Sequence, residues 1–118
     1  MGASFKALVV WQRAVELTSE IYKLTANFPG SELFGLTNQL RRASVSIASN
    51  IAEGYGRCTK GEYVHFLGNA RGSTCELQTQ LLIAENLQFC SASSAESAEM
   101  LSVEVSRMLI ALMKKLKG

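Results

Sequence analysis

The chain has 118 residues, of which 47% are hydrophobic and 19% are charged, and its formal net charge is +2. That length fits one domain because two halves would each be too small to bury a stable core, and the apolar fraction excludes a disordered chain. Charged or polar residues interrupt every apolar run before the roughly 18 residues that a membrane span requires, and the small positive charge permits nucleic-acid contact without demanding it.

Four segments carry apolar residues every three or four positions, which is the spacing of helices that bury one side. Pro29-Gly30 ends the first segment, because proline disfavours a helical conformation in the residue before it. Gly54-Tyr55-Gly56 ends the second, since glycine tolerates the geometry of a helix end. Thr59-x-x-Glu62 and Ser93-x-x-Glu96 are typical of capping boxes and indicate where the third and fourth segments begin.

These signals predict an all-α protein, an antiparallel up-down-up-down four-helix bundle that forms a single domain over residues 1–118. We expect its helices at about residues 8–27, 34–53, 60–88 and 95–116. No stretch alternates between apolar and polar residues for long enough to form a strand.

Residues that carry catalysis or bind metals are scarce. All ten acidic residues are glutamate, there is one histidine, and the three cysteines lack a Cys-x-x-Cys spacing. The sequence supplies His65 with neither an orienting partner nor a nucleophile, and a di-metal bundle would need two Glu-x-x-His motifs where this chain has one. We therefore expect no enzyme activity, no metal site and no cofactor. Unpaired thiols and the lack of a signal segment favour a cytoplasmic protein.

A polar line follows the second predicted helix beside its apolar side. Its members lie three or four residues apart: Gln39, Arg42, Ser46, Asn50 and Glu53. One interpretation is a site for a ligand or a nucleic acid. The other, which the residue types favour, is a structural polar seam in which Glu53, or Glu76 on the third helix, pairs with Arg42 and fixes the helix register.

Five basic residues form a candidate nucleic-acid site: Arg41, Arg42, Arg57, Lys60 and Arg71. Phosphate contacts require only positive donors at helix ends and loops. Successive helical residues differ by about 100° around the axis, so at most one of Arg41 and Arg42 faces inward. Tyr55, in the loop, could stack on a base or pack under the end of the bundle.

Several sequence blocks between residues 8 and 88 occur together in one protein family. They are Val10-Trp11-Gln12, Phe28-Pro29, Phe34-Gly35-Leu36, Gln39-Leu40-Arg41-Arg42-Ala43, Ser46, Asn50-Ile51-Ala52-Glu53-Gly54, Arg57, Phe66-Leu67, Ala70-Arg71-Gly72-Ser73 and Glu76-Leu77. In these blocks the chain resembles the bacterial four-helix-bundle proteins named after intervening sequences in large-subunit ribosomal RNA genes. Asn69 departs from the pattern, because the family often has an apolar residue there.

The resemblance implies an antiparallel four-helix bundle that assembles with copies of itself into a ring, typically a homopentamer, and that has no established enzymatic activity. Relatives include accessory proteins of diversity-generating retroelements, which are basic rings that bind nucleic acid and a reverse transcriptase. The implied partners are therefore further copies of the chain, RNA or DNA, and a protein such as a reverse transcriptase. No membrane partner is implied.

Two functional hypotheses follow. The first is a non-enzymatic, ring-forming homo-oligomer that binds structured nucleic acid, as an accessory protein, through the five basic residues. The alternative is a protein-interaction scaffold with no nucleic-acid role, which the charge-poor and apolar-rich composition favours.

Overall fold

The computed structural model describes residues 4–118, which form four α-helices and two short 3-10 helices. The helices are α1 (Val9–Thr25), α2 (Leu36–Tyr55), α3 (Lys60–Asn86) and α4 (Ala92–Lys117). The 3-10 helices, Phe5–Ala7 and Gly30–Glu32, precede α1 and α2. Residues 4–118 contain no strand, so the all-α prediction is confirmed; the single-domain prediction also covers residues 1–3, which lie outside the described residues.

The four helices pack as an antiparallel bundle measuring 45 × 21 × 20 Å. Within the described residues, each helix contacts the helices before and after it, α1 also contacts α4, and neither diagonal pair is in contact. The outward faces of α2 and α4 therefore lie on opposite sides of the bundle. The α1–α2 and α3–α4 connections meet at one end, where the Phe28 and Phe89 ring centroids are 5.8 Å apart; this is called the loop end below.

The core is formed by the apolar lines that the sequence periodicity predicts. Its fully buried large side chains include Leu17 and Ile21 of α1, Leu40, Ile47 and Ile51 of α2, Leu67, Leu77 and Leu81 of α3, and Val105 and Leu109 of α4. Burying such a side chain contributes about 1.5–3 kcal/mol, so this core supplies most of the free energy that holds the helices together. Among the helices of residues 4–118, none is both long and apolar enough to cross a membrane.

The helix starts show which capping signals the fold uses. Thr59 caps α3 as predicted, because its hydroxyl accepts a hydrogen bond of 3.1 Å from the Glu62 N–H. The predicted Ser93 cap of α4 is wrong: the Ser91 hydroxyl accepts from the Ser94 N–H at 3.0 Å, and the Ser94 hydroxyl accepts from the Ser91 N–H at 3.1 Å. This reciprocal box begins α4 at Ala92 rather than at about residue 95.

Helix α3 ends in a turn that uses no glycine. The Phe89 N–H donates to the Ala84 carbonyl at 2.9 Å and the Gln88 N–H donates to the Glu85 carbonyl at 3.0 Å, which is the Schellman pattern. Gln88 has a φ of 64°, in the left-handed region that usually favours glycine. The turn directs the Phe89 ring back onto Phe28 at the loop end.

Candidate nucleic-acid interface

The α2–α3 pair is the most extensive helix contact in the bundle, and small residues make it close. A Cβ atom on Gly54 of α2 would lie 2.8 Å from the Phe66 Cβ of α3 and 3.2 Å from the Tyr63 carbonyl oxygen. No residue larger than glycine fits there without a shift. The outward-facing crease between these two helices is called the α2–α3 groove.

The centre of the predicted polar line bridges α2 and α3. The hydroxyls of Ser46 and Ser73 share a hydrogen bond of 2.9 Å across the two helices. The Asn50 side-chain amide donates to the Ser46 carbonyl at 2.9 Å and to the Ser46 hydroxyl at 3.0 Å. Ser46 and Asn50 therefore form a seam of hydroxyl and amide groups rather than one of charges.

Arg42 takes no part in this seam. Its side chain is exposed and forms no ion pair within residues 4–118, so the predicted pairing with Glu53 or Glu76 is wrong. Glu53 pairs instead with Arg57, at 3.7 Å, whereas Glu76 stays exposed on the wall of the groove that Arg42 also lines. Solvent hydrates the Arg42 guanidinium directly, so no carboxylate is needed to compensate for burial.

Arg41 turns to the other side of α2 and contacts α1. Its Nε donates to the Thr25 hydroxyl at 2.9 Å, and its guanidinium lies over the Tyr22 ring, 4.6 Å from the centroid. A cation in this position gains from the ring's negative face. Arg41 and Arg42 therefore point in different directions, as their spacing around the helix requires.

Arg57, in the α2–α3 loop, is surrounded by internal partners. Its guanidinium lies 3.7 Å from the carboxylates of both Glu53 and Glu62 and 4.7 Å from the Phe66 ring centroid. Tyr55 packs edge-on against Tyr63, with centroids 6.0 Å apart. The loop charge is thus balanced by acidic neighbours.

Lys60 and Arg71 complete the set of candidate cations. Both are exposed, and in the part of the chain that the structure describes neither forms an ion pair. Lys60 is the first residue of α3. Arg71 does not line the α2–α3 groove: it lies seven residues before Gln78, and so on the same side of α3, and the Gln78 amide donates to the Ser102 hydroxyl of α4 at 3.1 Å. Of the five basic residues, the structure therefore pairs only Arg57 with carboxylates and holds Arg41 against a hydroxyl and an aromatic ring. The other three, Arg42, Lys60 and Arg71, are exposed and form no ion pair within residues 4–118.

The α2–α3 groove is shallow and is lined by small polar residues. Its floor and walls are formed by Ser46, Asn50, Gly68, Asn69, Gly72, Ser73 and Glu76, and it continues past Arg42 and Gln39 toward Gln80. No heavy atom lies within 4 Å of the position that a Cβ of Gly72 would take. Asn69, the residue that departs from the family pattern, is exposed in this groove.

A pair of carboxyl groups joins α3 to α4, and the sequence gives no sign of it because its members lie on different helices. A hydrogen bond with Glu85, followed by partial burial and the charges of Glu85 and Glu96, raises the pKa of Glu99 to about 7. One Glu85 carboxylate oxygen is buried without a hydrogen-bond partner in the described residues. No cluster of three or more potential metal ligands occurs among residues 4–118.

A protein-family model described as "23S rRNA-intervening sequence protein" matches residues 6–111. The chain belongs to this family. It is also similar to a solved structure from Bacteroides thetaiotaomicron, described as a protein of unknown function from the S23 ribosomal protein family, with a TM-score of 0.80 and 23% sequence identity. The alignment covers 89% of this chain and 98% of that one, and at this identity it shows the fold alone.

No curated protein matches the chain. The family resemblance predicted from the sequence blocks is therefore confirmed, and so is the bundle fold. Neither comparison identifies a ligand.

Proposed function

We propose that this member of the intervening-sequence protein family is a non-enzymatic homo-oligomer that binds structured RNA or DNA in the α2–α3 groove. The observation that carries the proposal is that Arg42 lines this polar groove, exposed and outside any ion pair of the described residues. Lys60 and Arg71 lie elsewhere on α3, also exposed and unpaired, where a nucleic acid that extends beyond the groove would meet them. A cation that is not neutralised internally keeps its full charge for a phosphate, and each phosphate neutralised releases condensed counterions.

The position of Lys60 also supports binding of a phosphate-bearing ligand. A cation in the first turn of a helix faces the positive end of the helix dipole, which costs about 0.3–1 kcal/mol at the surface. The neighbouring Glu62 is occupied with Arg57 and the Thr59 cap. An external anion bound at Lys60 would offset this cost.

The lining of the groove suits a sugar–phosphate backbone. Ser46, Asn50, Asn69 and Ser73 offer hydroxyl and amide groups, and the open backbone at Gly72 allows a ligand to come close to α3. Contacts of this kind position a nucleic acid without reading its sequence. We therefore expect recognition of shape rather than of base sequence.

Assembly into a ring would strengthen the positive electrostatic potential around these basic residues. The family resemblance implies a ring, typically of five copies, and five chains at +2 each carry a charge of about +10. The proposed assembly is therefore a basic ring in which each subunit contributes one groove.

The test is the salt dependence of binding to a fluorescent RNA hairpin and to a DNA hairpin of the same sequence. Affinity should fall steeply between about 50 and 200 mM salt. Arg42→Ala, Lys60→Ala and Arg71→Ala should each weaken binding and reduce the slope of log affinity against log salt by about one.

Lys23→Ala is the matched control, because Lys23 is an exposed lysine on α1 that forms no ion pair among the described residues. It should leave the salt slope unchanged. Absent binding, or binding that does not respond to salt, would contradict the proposal.

A protein-interaction scaffold is the second candidate, and the loop end favours it. Phe34 is 91% exposed, and Leu33 and Leu87 are about half exposed at the same end of the bundle. Apolar side chains that form a contiguous exposed patch mark protein contacts, so the scaffold requires these three residues to act as one surface at the loop end. Phe34→Ser should abolish capture of a protein partner in a pull-down and leave hairpin binding intact; capture that persists in this variant would count against the scaffold.

A further inference from the structure

A line of four exposed residues follows the outward face of α4, on the side of the bundle opposite α2. Glu96, Met100, Val103 and Arg107 are separated by steps of four, three and four residues, so they share one side of the helix. All four line the same shallow depression. The middle of the line is apolar, with Met100 66% and Val103 41% exposed.

The two ends of this line carry opposite charges, Glu96 and Arg107, that form no ion pair within the described residues. They cannot pair with each other, because 11 residues of helix separate them by about 16 Å. The neighbouring Glu104 is already paired with Arg13 of α1, at 3.3 Å.

The order of these four residues matches a second copy of itself that runs in the opposite direction, because an acidic end then meets a basic end. When a second α4 lies antiparallel on the first, Glu96 of each copy faces Arg107 of the other, and Met100 of each faces Val103 of the other. A parallel arrangement would instead oppose Glu96 to Glu96 and Arg107 to Arg107, and like charges across an interface cost free energy. A surface that matches its own copy in this way is what a two-fold symmetric contact requires.

We propose that the outward face of α4 is a homotypic interface, in which two copies of the chain pack their α4 helices antiparallel about the point midway between Met100 and Val103. The apolar centre is removed from water, and two Glu96–Arg107 pairs close its ends. Met100 and Val103 are three residues apart, so both can contact a helix that packs on this side of α4.

This inference rests on the homo-oligomer of the proposed function but not on its nucleic-acid binding, because α4 faces away from the α2–α3 groove. Each copy in the pair keeps its groove open to solvent. A two-fold contact requires an even number of copies, so two five-membered rings joined through α4 would hold ten chains.

The test uses charge reversal with rescue. Glu96→Arg alone and Arg107→Glu alone each place like charges opposite each other twice, so each should raise the dissociation constant of the homotypic contact by roughly tenfold or more. The double variant Glu96→Arg/Arg107→Glu exchanges the charges and should return the dissociation constant to within about threefold of the unsubstituted protein. Sedimentation equilibrium over a dilution series, at low salt and after nuclease treatment, measures all four proteins.

Glu76→Arg is the control, because Glu76 is also an exposed helical glutamate outside any ion pair of the described residues. It should leave the assembly unchanged. A monomeric unsubstituted protein, an odd-numbered assembly that ignores all three α4 variants, or a double variant no better than the singles would each overturn the proposal. Hairpin binding by Glu96→Arg tests the proposed function separately and should persist.

Discussion

The α1–α4 side and the α2–α3 side of the bundle join their helices by different chemistry. Arg13 of α1 forms an ion pair with Glu16 of the same helix at 3.1 Å and another with Glu104 of α4 at 3.3 Å. An ion pair therefore joins the two helices on that side. On the other side, Ser46 and Ser73 join α2 to α3 through hydroxyls. Among the described residues, charge joins α2 to α3 only at the loop, through Arg57 with Glu53 and Glu62, and the middle of that contact is held by hydroxyl groups.

The largest expected effect breaks the close approach on the α2–α3 side. Gly54→Ala places a Cβ 2.8 Å from the Phe66 Cβ. Overpacking of this kind costs roughly 1–3 kcal/mol, which exceeds the gain of about 1 kcal/mol from replacing a helical glycine. Urea unfolding should show a net loss of stability.

Gly72→Ala is the matched control, because nothing within 4 Å meets its Cβ. It should raise the free energy of unfolding by up to about 1 kcal/mol. If both variants shift stability in the same direction, close packing does not distinguish the two glycines.

Removal of the Ser46–Ser73 hydrogen bond between α2 and α3 should have the next largest effect on stability. Ser46→Ala leaves Ser73 and the Asn50 amide each short of one partner, at a cost of about 1 kcal/mol in the free energy of unfolding. Adding Ser73→Ala should cost less than the single substitutions predict, since the two residues share one bond. Strict additivity in urea unfolding would show that this hydrogen bond contributes nothing.

The contact of Glu85 on α3 with Glu99 on α4 should make the free energy of unfolding depend on pH. The pKa of Glu99 is raised from about 4.5 to about 7 in the folded protein, chiefly by its hydrogen bond with Glu85, so the folded state holds a proton that the unfolded state releases. The free energy of unfolding should therefore fall as the pH rises from about 4.5 through 7.

Glu99→Gln keeps a hydrogen-bond donor beside Glu85 at every pH. Thermal unfolding between pH 4 and 8 should show a flatter profile for this variant and a higher midpoint than the unsubstituted protein above pH 7. Glu76→Gln, in the α2–α3 groove, should keep the original profile. A Glu99→Gln profile that falls as steeply as the original would contradict the raised pKa of Glu99 as the cause of the pH dependence.

The smallest effect is expected on the α1–α4 side. Arg13 and its two carboxylates are all exposed to solvent by more than a third, and exposed ion pairs contribute about 0–1 kcal/mol. Arg13→Ala should lower stability by less than Ser46→Ala does, and the loss caused by Arg13→Ala should shrink further at high salt. A larger loss than that of Ser46→Ala would reverse the comparison between the two sides.

The sequence predicts the helices well because their signals are local. A 3.6-residue period marks each buried side, and a threonine three residues before a glutamate marks the start of α3. Where several serines follow one another, as from Ser91 to Ser94, local chemistry allows more than one start. Packing then decides, and beginning α4 at Ala92 accompanies the complete burial of Ala95.

The candidate site is less predictable because it depends on which helices meet. The spacing of Gln39, Arg42 and Ser46 places them on one side of α2, but the exposure of Arg42 follows from the position of α3. The contact of Arg41 with Thr25 joins residues 16 positions apart, and no local pattern indicates it. Charge pairing between helices is therefore the part of the site that sequence reasoning could not supply.

The turn at Gln88 has a consequence for how the bundle moves. Backbone hydrogen bonds close both the α3–α4 and the α2–α3 corner. The α3–α4 corner also packs the Phe89 ring on Phe28, whereas residues 56–59 of the α2–α3 corner are all exposed and begin with a glycine. Local opening starts where few buried contacts oppose it. A protease should therefore cut first at residues 56–59, next to Lys60. The α3–α4 pair should then remain together in one fragment.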